Sequence, residues 1–270
     1  MNEKVLKTLE YYKIIKMLEN QAGSEPGKKL CHALVPSADI HEIKENQKQT
    51  GDALSRIWQK GSLSFSGIHN IGESIKRLEI GSTLGTGELL RIDSLLKVAL
   101  RVKTFSRRDD EAERDSLDDM FETIEPLTNL KNDIERCIIS EDEIADDASA
   151  NLKNTMRDGR YCVPVKQEYR GNVNGIIHDQ SSTGSTLFIE PAAVVELNNK
   201  LRELEGKEAD EIQIILANLS MACAEHIYEL KTDMKILPKL DFIFAKASLA
   251  KEMKASMPEF NDQRQINIKK

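Results

Sequence analysis

The stretch that decides the fold is residues 157–191, which read RDGRYCVPVKQEYRGNVNGIIHDQSSTGSTLFIEP. Apolar and polar side chains alternate from Tyr161 to Lys166, and further extended runs cover 172–178 and 185–189. Glycines separate these runs, as is typical of turns and bulges. The pattern predicts a small antiparallel sheet of three or four strands.

Helical periodicity dominates the chain on both sides of this sheet. From Pro191, which suits the first position of a helix, no further proline occurs before Pro238. Apolar residues recur in this interval at spacings close to a heptad, which predicts one helix of roughly 65–70 Å. The predicted fold class is therefore mainly α: a helical core, a long lever helix and a small antiparallel β clamp. A helix of this length should project from the core as an arm.

The sequence predicts four consecutive regions. They are a helical core at 1–135, a small β clamp with a flanking short helix around 148–156 within 136–190, a long lever helix and a return helix at 191–257, and the start of a strand at 258–270.

Composition and charge exclude several classes of protein. The chain is 40% hydrophobic, so it can bury a core, and no apolar run approaches the length that a membrane span needs. The charged, amphipathic N-terminus does not resemble a signal peptide, and four scattered cysteines suggest reduced thiols. We therefore expect a cytoplasmic protein without a membrane partner. The net charge of −7 argues against a surface that is basic throughout, but it leaves room for a local basic patch.

The predicted sheet is such a patch. Between residues 150 and 180, five basic residues face only three acidic ones. Basic side chains at a sheet could bind nucleic-acid phosphates, with binding that weakens as salt increases. The alternative is an ordinary solvated sheet face carrying lysine-type charges, and composition alone does not exclude it. The candidate nucleic-acid-binding residues are Arg157, Arg160, Lys166 and Arg170.

Other chemistry has weaker support in the sequence. His178 and Asp179 with a nearby serine could suggest a hydrolytic trio, but adjacent strand residues point to opposite faces. The acidic cluster at 141–147 lacks the glycine and spacing of a calcium loop. We therefore predict no catalytic residues and no metal site in this chain.

Residues Arg160–Asn199 closely resemble the clamp and returning lever helix of the second bacterial MutS type, the paralogue linked with recombination control. The stretches Leu6–Glu10, Pro36–Asp39 and Asp146–Ser149 are also similar to that family. The resemblance runs along nearly the whole chain.

The resemblance implies more than this chain contains. Members of the family carry an ATPase domain after the lever, with ATP and Mg²⁺ as cofactors, and many carry a small C-terminal nuclease domain. This chain has no Gly-x-x-x-x-Gly-Lys-Ser/Thr motif, so we predict no enzyme activity and no cofactor for it. Residues 266–270 resemble the strand that leads into the ATPase, so we expect a fragment or a gene cut short. The family also has a longer helical stretch where only 151–156 lies here, which would shorten the outgoing arm of the lever.

Three hypotheses about function follow. The first is a non-catalytic lever and clamp that grips branched or mismatched DNA to suppress recombination, within a protein that forms a homodimer when full-length. The second keeps the fold and makes a stalled or collided ribosome, through its rRNA, the partner for ribosome rescue. The third is a helical dimerisation scaffold without a nucleic-acid role, which the acidic net charge favours.

Overall fold

The computed structural model describes residues 3–107, 113–138 and 156–260. These residues form a mainly α protein with a small antiparallel sheet, which confirms the predicted fold class. The helices are α1 Glu3–Thr8, α2 Tyr11–Gln21, α3 Glu25–His32, α4 Ile40–Lys60, α5 Gly72–Glu79, α6 Thr86–Ser106, α7 Asp118–Thr123, α8 Thr128–Cys137, α9 Val195–Ala224 and α10 Ile227–Glu252. The strands are β1 Met156–Arg157, β2 Arg160–Tyr161, β3 Val163–Lys166, β4 Gly175–Gln180 and β5 Thr186–Pro191.

The chain divides into two compact units. The first comprises Met1–Ile138 with Leu219–Lys270, and the second comprises Ile139–Asn218. Helix α9 begins in the second unit and ends in the first. The predicted short helix around 148–156 lies outside the described residues, except for Met156, which belongs to strand β1. The predicted strand within 258–270 lies almost wholly outside them as well.

Helix α10 forms the centre of the first unit and contacts α2, α3, α4, α5, α6 and α7. Its side chains Leu237, Leu240 and Ile243 are almost completely buried. The ring of Phe244 contacts the rings of Phe65, Phe105 and Phe121 at centroid distances of 5.7, 5.7 and 6.3 Å. Removing this apolar surface from water is the main stabilising contribution in the unit.

The prediction of one long helix from Pro191 to Pro238 is wrong: the helix begins later, ends earlier and is followed by a separate helix. Pro191 is the last residue of β5, and α9 begins only at Val195, after a 3₁₀ turn. The helix then ends at Ala224, so its 30 residues span about 45 Å. The interruption needs no proline, because the amide of His226 bonds to the Cys223 carbonyl in a tight 3₁₀-type contact before α10 begins.

Pro238 lies inside α10 and does not end it. The side chain is buried, as are its neighbours Leu237 and Leu240. Packing on this scale compensates for the backbone hydrogen bond that a proline removes from a helix. Tertiary contacts therefore override the local signal that placed a helix boundary at this residue.

The second unit holds both sheets. Strands β1 and β2 form a hairpin in which Asp158 and Gly159 both have positive φ, of 50° and 72°. This two-residue turn is the conformation that an Asp-Gly pair favours. The larger sheet has the order β3-β5-β4, with every pair antiparallel. The predicted strands are thus present, but the second begins at Gly175 rather than at 172, because residues Gln167–Asn172 form a 3₁₀ helix.

Gly175 fixes the register of β4 against β5, where it lies opposite Pro191. A Cβ at this position would stand only 2.0 Å from the carbonyl oxygen of Glu190. The strands can therefore approach this closely only because the residue is glycine. A bulge follows between Ile177 and Asp179.

Candidate nucleic-acid interface

Arg157 lies across the sheet of the second unit and is engaged with protein groups. Its guanidinium stacks on the Phe188 ring at 3.7 Å from the centroid, and its Nε donates to the Asp179 carboxylate at 2.8 Å. Its Nη1 also donates to the Met156 carbonyl. Phe188 and Asp179 are cross-strand partners on β5 and β4, so the β1–β2 hairpin is attached to the sheet through this arginine. Its positive charge is largely balanced by Asp179.

Arg160 is also paired, but inside a buried polar cluster. Its Nη1 donates to Oε1 of Glu190 at 2.5 Å, and its Nη2 donates to Oδ1 of Asn199 at 2.6 Å. The Glu190 side chain is completely buried. Buried carboxylates need several partners, because desolvation of an isolated charge costs more free energy than one weak contact returns.

Glu190 has two further partners in this cluster. His178 contacts Oε2 through its Nε2 at 2.6 Å, and Asn198 donates to Oε1 from its amide nitrogen at 2.8 Å. The Asn198 amide also exchanges hydrogen bonds with both backbone groups of Tyr161. The cluster joins β2, β4, β5 and the start of α9, and we name it the Glu190 cluster: Arg160, Tyr161, His178, Glu190, Asn198 and Asn199.

The pKa of Glu190 reflects two opposed effects. Burial raises the pKa of the carboxyl group, but the hydrogen bonds from Asn198, His178 and Arg160 outweigh burial and hold the pKa below its usual range. The group is therefore ionised at neutral pH and balances the charge of Arg160. The role of this arrangement is structural, because it holds β2, β4, β5 and the start of α9 together.

Lys166 and Arg170 differ from the two paired arginines. Lys166 is exposed at the end of β3. Arg170 donates to the carbonyls of Val173 and Gly175, at 3.0 and 3.5 Å, which orients the guanidinium without neutralising its charge. Among the described residues, neither forms a salt bridge. Between them Tyr169 is 54% exposed, and aromatic rings of this kind can stack on bases.

Sequence reasoning missed a second polar feature beside Lys166. The turn between β4 and β5 reads Ser181-Ser182-Thr183-Gly184-Ser185, and its backbone closes through bonds from Ser181 to Thr186 and from Gly184 to Ser181. Lys166 pairs with Thr186 across the strands, and the next amide, of Gln167, donates to the Ser185 carbonyl at 3.1 Å. Hydroxyl groups and a lysine thus share one end of the sheet. Serine and threonine hydroxyls are frequent phosphate ligands, and this signal was present in the sequence.

The hydrolytic trio has no geometric basis. His178 is directed to Glu190, whereas Asp179 is directed to Arg157. The two side chains therefore cannot orient each other.

The part of the chain that the structure describes forms no metal site. Within the described ranges, no group of three or more His, Cys, Asp and Glu side chains could hold a metal ion, and the acidic cluster at 141–147 lies outside those ranges. The sequence has no phosphate loop for ATP with Mg²⁺. Over the same described ranges, none of the helices has the length and apolar character required to cross a bilayer.

A helical core combined with a small β clamp is the architecture that the resemblance to MutS-type proteins implies. Comparison with known proteins agrees with this class. The chain is 47% identical to the protein named Endonuclease MutS2 of Lachnoclostridium phytofermentans, 50% identical to that of Agathobacter rectalis and 46% identical to that of Lachnospira eligens. Each match covers the whole chain but only 38–39% of the relative. No protein-family model matches the sequence. Over its whole length the chain is similar to proteins of the MutS2 type, as the resemblance of the clamp predicted.

The relatives also differ from this chain in length within the matched region. The three alignments extend over 304–310 positions, although the chain has 270 residues, so at least 34 positions have no counterpart here. This difference agrees with the expectation that the chain lacks a stretch that the family carries. That the stretch precedes Arg157 stays a prediction.

Proposed function

We propose that this chain is the non-catalytic, nucleic-acid-gripping lever and clamp portion of a MutS-like ATPase that acts on branched or mismatched DNA to suppress recombination. One observation carries the proposal. Lys166 and Arg170 have no carboxylate partner among the described residues. Lys166 lies at the end of the sheet that carries the hydroxyl-rich turn, and the exposed Tyr169 directly precedes Arg170 in the 3₁₀ helix. Cations, hydroxyls and an aromatic ring are the groups that bind phosphates and unstacked bases.

The four candidate residues divide into two roles under this proposal. Lys166 and Arg170 contact phosphates directly. Arg157 and Arg160 hold the sheet in shape through Asp179 and Glu190, so their charges are already compensated inside the protein. A salt bridge that must break before a phosphate can bind reduces the net gain from that contact.

The test is DNA binding by variants that remove positive charge at different sites. Lys166→Ala, Arg170→Ala and the double variant should weaken binding to a four-way junction and to a mismatched duplex. Lys200→Ala is the matched control, because Lys200 is exposed on α9 in the same unit and is remote from Lys166 in sequence. Equal affinity of the double variant and the control for both DNAs would refute the proposal.

The same variants discriminate between DNA and the ribosome as the partner. If ribosomal RNA is the physiological partner, purified ribosomes should displace the junction from the wild-type chain at a lower mass concentration than duplex DNA does. The Lys166 and Arg170 substitutions should then weaken ribosome binding more than junction binding. Equal competition by both polymers would favour general phosphate contacts at the clamp.

The full-length protein is proposed to be a homodimer in which an ATPase domain, with ATP and Mg²⁺, moves the lever. The relatives' name also includes endonuclease activity. Neither activity is assigned to residues of this chain, because its sequence has no phosphate loop and the residues that the structure describes form no catalytic group.

A scaffold is the second candidate function, and the surface of α9 favours it. Leu197, Leu204 and Ile212 recur at spacings of seven and eight and are 67%, 50% and 38% exposed. An exposed apolar stripe of this kind can pair with a helix of a second copy. Sedimentation analysis of the wild type and of Leu204→Glu decides between the candidates. A dimer that the substitution dissociates, with no DNA binding by either form, would support the scaffold.

A further inference from the structure

The first unit contains a cavity that the nucleic-acid role does not use. Its volume is about 550 Å³, within the range of small-molecule sites. Helices α4 and α10 form two of its walls, and the segments that follow α3 and α10 form the others. The apolar residues of the lining include Leu34, Val35, Ile43, Leu54, Phe242 and Met257.

Lys246 of α10 places a cation in this apolar lining. Its Nζ lies 4.6 Å from the centroid of the Phe242 ring, and among the described residues no carboxylate forms a salt bridge with it. Burial lowers the pKa of Lys246 to about 8, and the positive charge of Lys239 adds to this effect. An ammonium group in this environment lacks the counterion that buried charges usually have.

The other polar groups of the lining are mostly engaged. The Glu42 carboxylate accepts from the Ser37 hydroxyl at 2.6 Å, and the Thr50 hydroxyl donates to the Asn46 carbonyl at 2.8 Å. The Gln47 amide donates to the carbonyl of Pro258 at 3.0 Å, which ties the segment after α10 across the cavity.

We propose that this cavity binds a small amphipathic carboxylate, with its apolar body against Phe242 and the aliphatic wall and its carboxylate on the Lys246 ammonium. A multiply charged phosphate fits less well, because the lining offers a single lysine and also contains Glu42. A neutral apolar ligand would leave the ammonium without a counterion. The proposal is independent of the proposed grip on nucleic acid, which concerns residues of the other unit.

Decanoate is a suitable probe, and decanol is its uncharged match. Calorimetric titration of the whole chain should show saturable 1:1 binding of decanoate, about tenfold or more tighter than that of decanol, because a charge-assisted hydrogen bond is lost with the alcohol. Lys246→Met should reduce decanoate affinity to that of decanol. Lys235→Met, an exposed lysine on the same helix, should leave decanoate affinity unchanged.

A second variant tests the location without changing charge. Ala250→Phe fills the cavity from α10 and should abolish the binding of both probes. Decanoate affinity should also fall as the pH rises above about 8, since Lys246 then loses its proton when unliganded. Cys31 should not contribute to that change, because its pKa is raised to about 11, and Glu42 and Lys239 are the other charged groups that face this region.

Two results would overturn the assignment. One is equal affinity of the wild type for decanoate and decanol. The other is decanoate binding that survives both Lys246→Met and Ala250→Phe, which would place the bound probe elsewhere. The comparison of decanoate with decanol uses the wild type alone, so equal affinity overturns the assignment even if a variant fails to fold.

Discussion

Replacing Glu190 with glutamine should destabilise the second unit, the β unit of the chain, more than any other single change of charge there. The substitution preserves side-chain volume and a hydrogen bond with Asn198, but it leaves Arg160 and His178 without their carboxylate. Breaking a fully buried ion pair costs about 3–5 kcal/mol. Arg160 and His178 are 19% and 17% exposed, so water can compensate part of this loss. We therefore expect a destabilisation of about 2–3 kcal/mol.

The measurement should report on the β unit alone, because the chain contains two compact units. Hydrogen exchange of the β3, β4 and β5 amides meets this requirement. For amides that exchange through opening of the whole unit, the rate in Glu190→Gln should be roughly 30–150-fold higher than in the wild type. Glu168→Gln is the matched control, because that side chain is exposed in the 3₁₀ helix. If the exchange rates of the two variants agree within about a factor of two, the Glu190 cluster does not stabilise the unit as argued.

The same substitution should remove a pH dependence. The folded-state pKa of Glu190 lies below its unfolded value, so its contribution to stability is present above the unfolded pKa, near 4.5. That contribution is lost as the pH falls through the folded pKa. In the wild type, exchange of the sheet amides, corrected for intrinsic rates, should therefore accelerate below about pH 4.5 more than in Glu190→Gln. Equal acceleration in both proteins would contradict this assignment.

Two further substitutions test packing and burial. Gly175→Ala should destabilise the sheet by about 2 kcal/mol or more, since the added Cβ would meet the Glu190 carbonyl oxygen at 2.0 Å; Gly171→Ala, with open space around it, is the control for the same exchange measurement. Asp233→Asn should stabilise the first unit by about 1–2 kcal/mol above pH 7 in urea unfolding, because burial raises the pKa of Asp233 to about 7. Because the folded-state pKa of Asp233 is raised, the contribution of this group to stability is present below its unfolded pKa of 3.8 and is lost as the pH rises through about 7. A wild type whose stability is flat from pH 4 to 8 would refute the reasoning.

The local sequence predicted the sheet because alternation and glycines act within a few residues. The Asp158-Gly159 hairpin belongs to the same kind of signal, since both residues adopt the positive φ that the pair favours. The Glu190 cluster could not be predicted in this way. It joins Arg160 to a carboxylate 30 positions away, and nothing in the local sequence specifies that pairing.

The helix boundaries show the complementary limit. Pro238 indicated an end where the structure has a continuous helix, and no proline or glycine marked the interruption at His226. In both places burial decides, since Cys223 and Leu230 are fully buried on either side of the interruption and Pro238 itself is buried. Secondary-structure signals are worth a few kcal/mol at most, and a well-packed core can exceed them.

Salt dependence should distinguish two phosphate contacts from four. The described residues of the β unit from 156 to 191 contain four basic and four acidic side chains, so its net charge is zero despite the local excess of cations between 150 and 180. If only Lys166 and Arg170 bind phosphates, the slope of log affinity against log salt for duplex DNA should be about −1.8. If Arg157 and Arg160 leave their carboxylates and bind as well, the slope should approach about −3.6. The steeper slope would show that the salt bridges to Asp179 and Glu190 open on binding, and Arg160 would then be a contact residue as well as part of the Glu190 cluster.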